Sequence, residues 1–490
     1  MRKQKLKGQV FTPRYLVSSI LDVAGYAGEN ILERHVVDNS AGDGAFLCEI
    51  VRRYCNAFLQ SSNDLSKLKD ELETYVHGIE IDEEAYKNCM THLEETARTF
   101  CLNDIQWDVM NHDAISVNTY DGKMDYVVGN PPYVRVHNLQ TIYERVKSFT
   151  FSDEGMTDLY LVFFEIGLKM LNSHGVLCYI SPSSWLSSIA GKNMRDYLKA
   201  NRSIIKMVDL GHYQPFEATT YTMISLLTLK QEASQPFIYS VYNEETLKIE
   251  DVETLDYDEA FIGDILYLGN KKQLEELRNV KMSHFNNYVS VKNGFATLAD
   301  DVFIQTSFPF SQFVIPVIKA STGKWYKAFF PYDKKGKPIE REQIFSDSSI
   351  SDYLHANKEK LLKGKSEEEF NQWYLYGRTQ ALLDVQKDKI AINTCIKDTK
   401  SIKLNIVPKG HGLYSGLYIL TKVPFELIRD VIIHEDFINY IAMLKKYKSG
   451  GYYTFNSKEL ENYLNYKLTQ YYRINGTQQS TIFTGNLEFL

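Results

Sequence analysis

Asp125-Tyr126-Val127-Val128-Gly129-Asn130-Pro131-Pro132-Tyr133 reads as a buried strand that runs into a rigid turn. The apolar run is the length of a strand buried in a parallel sheet, and two prolines restrict the backbone that follows. Working outward, short apolar runs alternate with helical periodicity. A strand over 35–38 enters a Gly loop, and a helix over 45–58 carries Phe46, Leu47, Ile50, Val51 and Tyr54 on one face. Strands are expected over 75–80, 104–107, 124–128, 175–180, 204–210 and 222–229, with helices over 83–100, 158–171 and 191–201. This alternation predicts an α/β, Rossmann-like domain with a largely parallel sheet.

The turn suits one chemistry. The exocyclic amine of adenine is a poor nucleophile because its lone pair is delocalised into the ring. Its two hydrogens can be accepted by the Asn130 side-chain oxygen and the Pro131 carbonyl, which aims the lone pair at an electrophile. Tyr133 offers a face for a base. Four such residues also make an ordinary turn, so the rest of the chain has to decide.

Asp38-Asn39-Ser40-Ala41-Gly42-Asp43-Gly44 lies between a strand and a helix, where small residues and free N–H groups let a cofactor approach. Glu80 ends the next strand, where an acid can bind ribose hydroxyls, and Asp113 follows the third. Leu47 stands where a dinucleotide fingerprint has its third Gly, so a nucleoside without a pyrophosphate fits better than NAD. Bland readings remain for each residue: strand-end capping for Glu80, Asp113 and Thr12, and core packing for Phe216.

The 490 residues hold two domains or three, 44% of them hydrophobic. No apolar stretch reaches membrane length. Six cysteines without CxxC spacing read as thiols of a reducing cytosol, and neither Cys nor His suggests a metal site. Net charge is −7, unevenly spread: residues 281–490 hold 28 Lys and Arg against 21 Asp and Glu, and residues 1–280 hold 27 against 41. A basic second half suits phosphates. The expected division is 1–240, a linker over 241–284 containing the acidic run 244–259, and 285–490.

In this order the motifs resemble the gamma-class, Taq-type adenine-N6 DNA methyltransferases. Phe11-Thr12-Pro13 precedes the Gly loop, and Asn130-Pro131-Pro132-Tyr133 follows the acidic strand ends. Ser181 to Leu186 is similar to a later sheet element. Tyr374 to Gln380 and Gly450-Gly451-Tyr452-Tyr453 are similar to parts of the family's recognition domain. Asn39 departs from the family, which usually has Pro there. The resemblance implies S-adenosyl-L-methionine held by Phe11, Thr12, Asp38, Asn39, Ala41, Gly42, Gly44, Glu80, Ile81, Asp113, Ala114 and Asn130. It implies catalysis by Asn130, Pro131 and Tyr133, and a flipped adenine stacked on Tyr133 and Phe216. It also implies a mixed α+β DNA-recognition domain at the C-terminus. Double-stranded DNA is the expected partner, with Arg135, Lys292, Arg378, Gln380 and Lys445 as contact candidates. Lys324, Lys327, Lys403, Lys409 and Lys446 are phosphate contacts or solvated surface. A cytoplasmic monomer is expected, with any cognate restriction endonuclease encoded separately, since no nuclease signature or extra N-terminal domain is read. The alternatives are an RNA or protein (glutamine) amine methyltransferase, a cytosine-amine enzyme, and a DNA-binding protein without catalysis.

Overall fold

The computed structural model describes residues 12–135, 143–153, 155, 157–216, 220–232, 235–282, 284–363, 365 and 371–475. Phe11 lies outside them, as do 136–142 after the Pro-Pro turn and 217–219 after Phe216. The chain divides into two compact units, Met1–Glu275 and Glu276–Leu490.

The first unit is built on a nine-stranded sheet of β1 (Val36–Asp38), β2 (Val76–Ile79), β3 (Asp108–Met110), β4 (Met124–Gly129), β5 (Leu171–Pro182), β6 (Ile204–Asp209), β7 (Thr222–Thr228), β8 (Phe237–Asn243) and β9 (Lys248–Leu255), in the order 3-2-1-4-5-7-6-8-9. The half from β3 to β5 is parallel throughout. β7 enters antiparallel between β5 and β6, β8 pairs parallel with β6, and β9 closes the edge antiparallel. The sheet is therefore mixed, with five of its eight strand pairings parallel. Strand order reverses between β1 and β4, and in open α/β sheets ligands bind at that switch point, beyond the carboxyl ends of the strands.

Helices α1 (Arg14–Val23), α2 (Ala45–Ser61), α3 (Leu65–Tyr75), α4 (Glu83–Arg98), α5 (Leu159–Met170) and α6 (Lys192–Asn201) accompany the sheet. α1 has full heptad-like periodicity: Leu16, Val17, Ile20 and Leu21 are wholly buried, and they join a core with Ile50, Val51, Tyr54 and Cys178. α2 starts at Gly44, whose φ of +89° is left-handed and whose Cβ, were there one, would lie 2.9 Å from Cys89 Sγ. Close packing of α2 on α4 therefore requires Gly at that point.

Two expectations need correcting. The third strand lies at Asp108–Met110, not 104–107. Ile105 and Trp107 are buried all the same, so apolarity marked core packing just ahead of the strand. The stretch 241–284 is not a linker. β8 and β9 are strands of the main sheet, and 244–259 reads as acidic because β9 is an edge strand with Lys248, Glu250, Asp251 and Glu253 exposed or partly so. Charge on an edge strand discourages pairing with another chain. The division falls at Glu275 instead, inside the helix Lys271–Met282.

The second unit is α+β. One antiparallel sheet has the order Val289–Asn293, Leu417–Thr421, Lys389–Ile392, Leu404–Val407. A second combines Ile304–Gln305, Lys324–Phe329, Val314–Lys319 and Gly412–Tyr414. Its core is rich in aromatic residues, with Phe303, Phe329, Phe330, Tyr332 and Tyr376 in mutual contact. Gly450 and Gly451, at φ of +76° and +78°, turn the hairpin between Tyr447–Lys448 and Tyr452–Thr454. The helix Ser457–Asn475 is fixed to the first sheet by buried Asn465, which accepts from the N–H groups of Tyr288 and Val289 and donates to the Val289 carbonyl.

Candidate active site

The carboxyl ends of β1 and β4 are side by side, with Asp38 paired to Val128. Gly129, at φ +152°, ends β4, and a Cβ there would come within 2.6 Å of Asp38 Oδ1. The Pro-Pro turn thus starts directly against the Gly loop, and only a residue without a side chain permits it. Asn130 Nδ2 donates to Thr12 Oγ1 at 3.1 Å, joining residues 118 apart in the chain.

Asp38 is 1% exposed. Its Oδ1 accepts from the Ser40 N–H at 3.0 Å, while Oδ2 has no well-formed hydrogen bond among the described residues. Burial pushes its carboxyl up to about 7; the Glu80 charge adds to the rise, and the Ser40 N–H and hydroxyl oppose it. A buried acid without a second donor is a costly group, and a cationic ligand beside it relieves the strain. The donor set therefore fits a cofactor that carries an ammonium or sulfonium.

Glu80 braces the loop. Its Oε2 accepts from Gly42 N–H and its Oε1 from Asp82 N–H, both at 2.8 Å. Burial raises its carboxyl against those two bonds. Each oxygen keeps a further lone pair for a hydroxyl. Ile81 is 64% exposed next to it, an uncovered apolar surface suited to a ring. Asp113 caps the turn Ala114–Ser116 by accepting from Ile115 N–H, and its Oδ2 pairs with Arg145 at 3.1 Å. Arg145 also donates to the Ser116 hydroxyl. Ala114 is buried beneath.

Asn39 is placed differently from the expectation. It is 1% exposed, and its side chain accepts from the Tyr179 hydroxyl at 2.8 Å and faces Met170 sulfur. It is a packing residue between β1 and β5, with only its backbone left for a ligand. The Asn side chain, absent from the family's usual Pro, ties the loop to Tyr179.

Tyr133 is half-buried, and burial holds its hydroxyl well above the ordinary phenol range. Its ring meets Phe216 at 6.2 Å and Tyr160 at 6.4 Å, both edge-on at 78° and 81°. The structure thus brings Tyr133 and Phe216 together, but a base cannot lie flat on both while they are perpendicular. Phe216 is 7% exposed; it must turn if it is to form a second stacking face. Tyr160, held by Ser184 at 3.1 Å, was missed in the sequence because nothing distinguishes it from the other buried residues of α5.

The DNA-contact candidates are scattered in role. Arg135 is exposed, one residue from the Val134 carbonyl that accepts from Leu159 N–H. Lys292 pairs with buried Asp384 at 2.9 Å, a carboxylate shared with Lys387 and the Tyr418 hydroxyl. Gln380 donates to the Gly294 carbonyl at 2.5 Å, so one amide hydrogen is already committed. Both act as braces of the fold. Lys445 is partly buried at φ +52°, and Lys446 pairs with Glu459 at 2.6 Å. Lys403 donates to the Ser321 carbonyl, and Lys324, Lys327 and Lys409 are exposed. Arg378 is exposed on the loop that follows buried Tyr374, Leu375 and Tyr376, and no ion pair holds it among the described residues. None of the helices among the described residues is long and apolar enough to cross a membrane.

Residues 45–216 match the model of the Eco57I restriction-modification methylase. The chain is 27% identical over 343 residues to the type II methyltransferase M.BstVI of Geobacillus stearothermophilus, covering 61% of this chain and 60% of that one. It is 25% identical over 489 residues to the type II restriction enzyme and methyltransferase RM.Eco57I of Escherichia coli, covering 78% and 48%. The chain thus spans about half to three fifths of the length of these curated relatives. Among solved structures, the type IIL restriction-modification enzyme MmeI in complex with DNA has a TM-score of 0.64 at 12% identity, covering 92% of this chain and 64% of MmeI. The type ISP enzyme LlaGI, with a DNA substrate mimic, has a TM-score of 0.53 at 12% identity, covering 94% and 54%. At that identity the likeness is one of fold.

Proposed function

We propose that the chain is a site-specific DNA methyltransferase of the gamma class, transferring a methyl group from S-adenosylmethionine to N6 of a flipped adenine in duplex DNA. The observation that carries this reading is the juxtaposition of the Asn130 turn with the buried, half-satisfied Asp38 at the switch point of the sheet. The match to a restriction-modification methylase over 45–216 supports it.

Asp38 would hold the cofactor's ammonium, Glu80 its ribose hydroxyls, and Asp113 with Ile81 its adenine, while the backbone of 41–44 closes on the rest. When bound, the cofactor supplies an electrophilic methyl on sulfur. The protein's work is on the amine. Adenine inside a duplex is out of reach, and extruding it takes a few kcal/mol. Stacking on Tyr133 returns about 1–3 kcal/mol. Asn130 Oδ1 and the Pro131 carbonyl accept the two amine hydrogens, which turns the nitrogen lone pair toward the methyl and stabilises the positive charge that develops there. Once the amine nitrogen has been methylated, its extra proton would pass to water. No general base is needed before transfer.

In this reading Glu276–Leu490 is the target-recognition unit. The test is methyl transfer from radiolabelled S-adenosylmethionine to unmethylated genomic DNA, with single-molecule sequencing of the product. Methylated adenine in one fixed motif is the expected result. Transfer to RNA or to protein glutamine, with none to DNA, overturns the substrate and leaves the chemistry of the turn.

A further inference from the structure

The two ends of an asparagine amide have almost the same shape and opposite hydrogen-bonding roles. A target amine presents hydrogens. The oxygen of Asn130 must therefore face it, because the amide turned the other way would set NH2 against NH2. Presenting that oxygen also requires the side chain to be held in one place, since a loose amide meets the amine only part of the time.

The side chain is held from across the chain. Asn130 Nδ2 donates to Thr12 Oγ1 at 3.1 Å. Thr12 is 8% exposed and does not float. It directly precedes Pro13, whose carbonyl accepts from Leu16 and Val17 N–H at 2.9 and 3.0 Å and so starts α1. The apolar face of α1 is wholly buried, so the Thr12 hydroxyl is presented from a fixed element. On the other side Asn130 follows Gly129, which is pressed against Asp38. Both partners of the bond are thus anchored independently of it.

We propose that Thr12 is a positioning residue: its hydroxyl, bonded to Nδ2, holds the Asn130 side chain at the place where the target amine must meet it. This rests on the methyl-transfer reading and deepens it. It also changes the role of Thr12, which the family resemblance would spend on the amino-acid part of the cofactor. A cofactor contact lowers cofactor affinity when removed. A positioning residue lowers the rate of transfer at saturation and leaves affinity alone.

The experiment compares Thr12→Val, which keeps the shape and loses the acceptor, with Thr12→Ser, which keeps the acceptor. Single-turnover methyl transfer is measured on a duplex carrying the sequenced motif, beside equilibrium binding of S-adenosylmethionine and of that duplex. The expected result is a saturated rate about three- to tenfold lower for Thr12→Val, the size of one net hydrogen bond, with both affinities within about twofold of wild type and Thr12→Ser restoring the rate. Thr12→Cys, a poor acceptor close in size to Ser, makes the same comparison should the valine variant fail to fold. A loss confined to cofactor affinity, or an unchanged rate, overturns the proposal. A wild-type chain that transfers no methyl to DNA overturns the reading beneath it instead, and that is seen before any variant is made.

Discussion

Asp38 makes cofactor affinity depend on pH in a calculable way. In the ligand-free protein burial lifts its carboxyl to about 7 from an ordinary 3.8, which corresponds to roughly 4 kcal/mol of disfavoured ionisation. A ligand ammonium beside Oδ2 needs the ionised form, so binding must expel a proton whenever the pH lies below about 7. The apparent dissociation constant then rises little between pH 8 and 7, by about twofold at 7, and by about tenfold for each further unit down, or about 1.4 kcal/mol per unit. Protein stability runs the opposite way: it falls as pH rises while affinity improves. A carboxyl whose pKa is raised on folding favours the folded state below its unfolded pKa, and that contribution is lost as pH rises through 7. Asp38→Asn should therefore raise the unfolding temperature of the ligand-free protein at pH 8 while weakening cofactor binding there and removing its pH dependence. Calorimetric titration of S-adenosylmethionine between pH 5.5 and 8.5, in buffers of different ionisation enthalpy, reads both the affinity and the released proton. An affinity that stays flat from pH 8 to 6 in the wild type, with no proton released at 6, would refute the assignment of Asp38 to the cofactor cation.

Tyr133→Ala should weaken capture of the extruded base by about 1–3 kcal/mol with cofactor affinity unchanged; 2-aminopurine fluorescence at the target position measures it, and an undiminished signal counts against stacking. Arg378→Ala should relax selectivity at one base pair, by about 1–3 kcal/mol if the guanidinium reads a guanine. A uniform loss across sequences, with the salt slope reduced by about one, would make it a phosphate contact. At the opposite end of the strands, His35 Nδ1 and His77 Nε2 are 2.8 Å apart, and His77 Nδ1 meets Asp108 at 2.7 Å. One imidazole of the pair must lack a proton where they meet. Burial, and then the His77 charge, lower the pKa of His35, so the unfolded chain takes up that proton first as the pH falls. The stabilisation is complete above about pH 6.5 and fades below it, by only a fraction of 1.4 kcal/mol per unit because the ring is partly solvated. Thermal unfolding of His35→Gln should show a weaker fall between pH 7 and 5.5 than the wild type, and parallel curves would discount the pair.

Legibility in the sequence followed the range of the interaction. The β1 loop, the Glu80 strand end and the Asn130 turn were readable because each is a local pattern of small, acidic or rigid residues at a strand terminus. β8 and β9 were hidden because an edge strand exposes its charges and a run of acids imitates a linker. Ile105 and Trp107 misplaced β3 because burial and sheet bonding are separate properties. The Tyr179 clamp on Asn39 and the Thr12 bond to Asn130 join residues 140 and 118 apart. No window of sequence contains either pair. The partners of Gln380 and Lys292, Gly294 and Asp384, lie 86 and 92 residues away and are equally out of reach of any window.

The bond from Thr12 to Asn130 has a bearing on biogenesis. Thr12 leaves the ribosome long before the residue it holds, and it lies in none of the strands that form the sheet. The sheet can therefore assemble whether or not this segment has docked, and docking becomes a finishing step. Proteolytic nicking just after Thr12, or a bulky fusion placed just before it, would leave a folded chain with an untethered amide. A preparation that looks native by circular dichroism would then be sluggish in turnover.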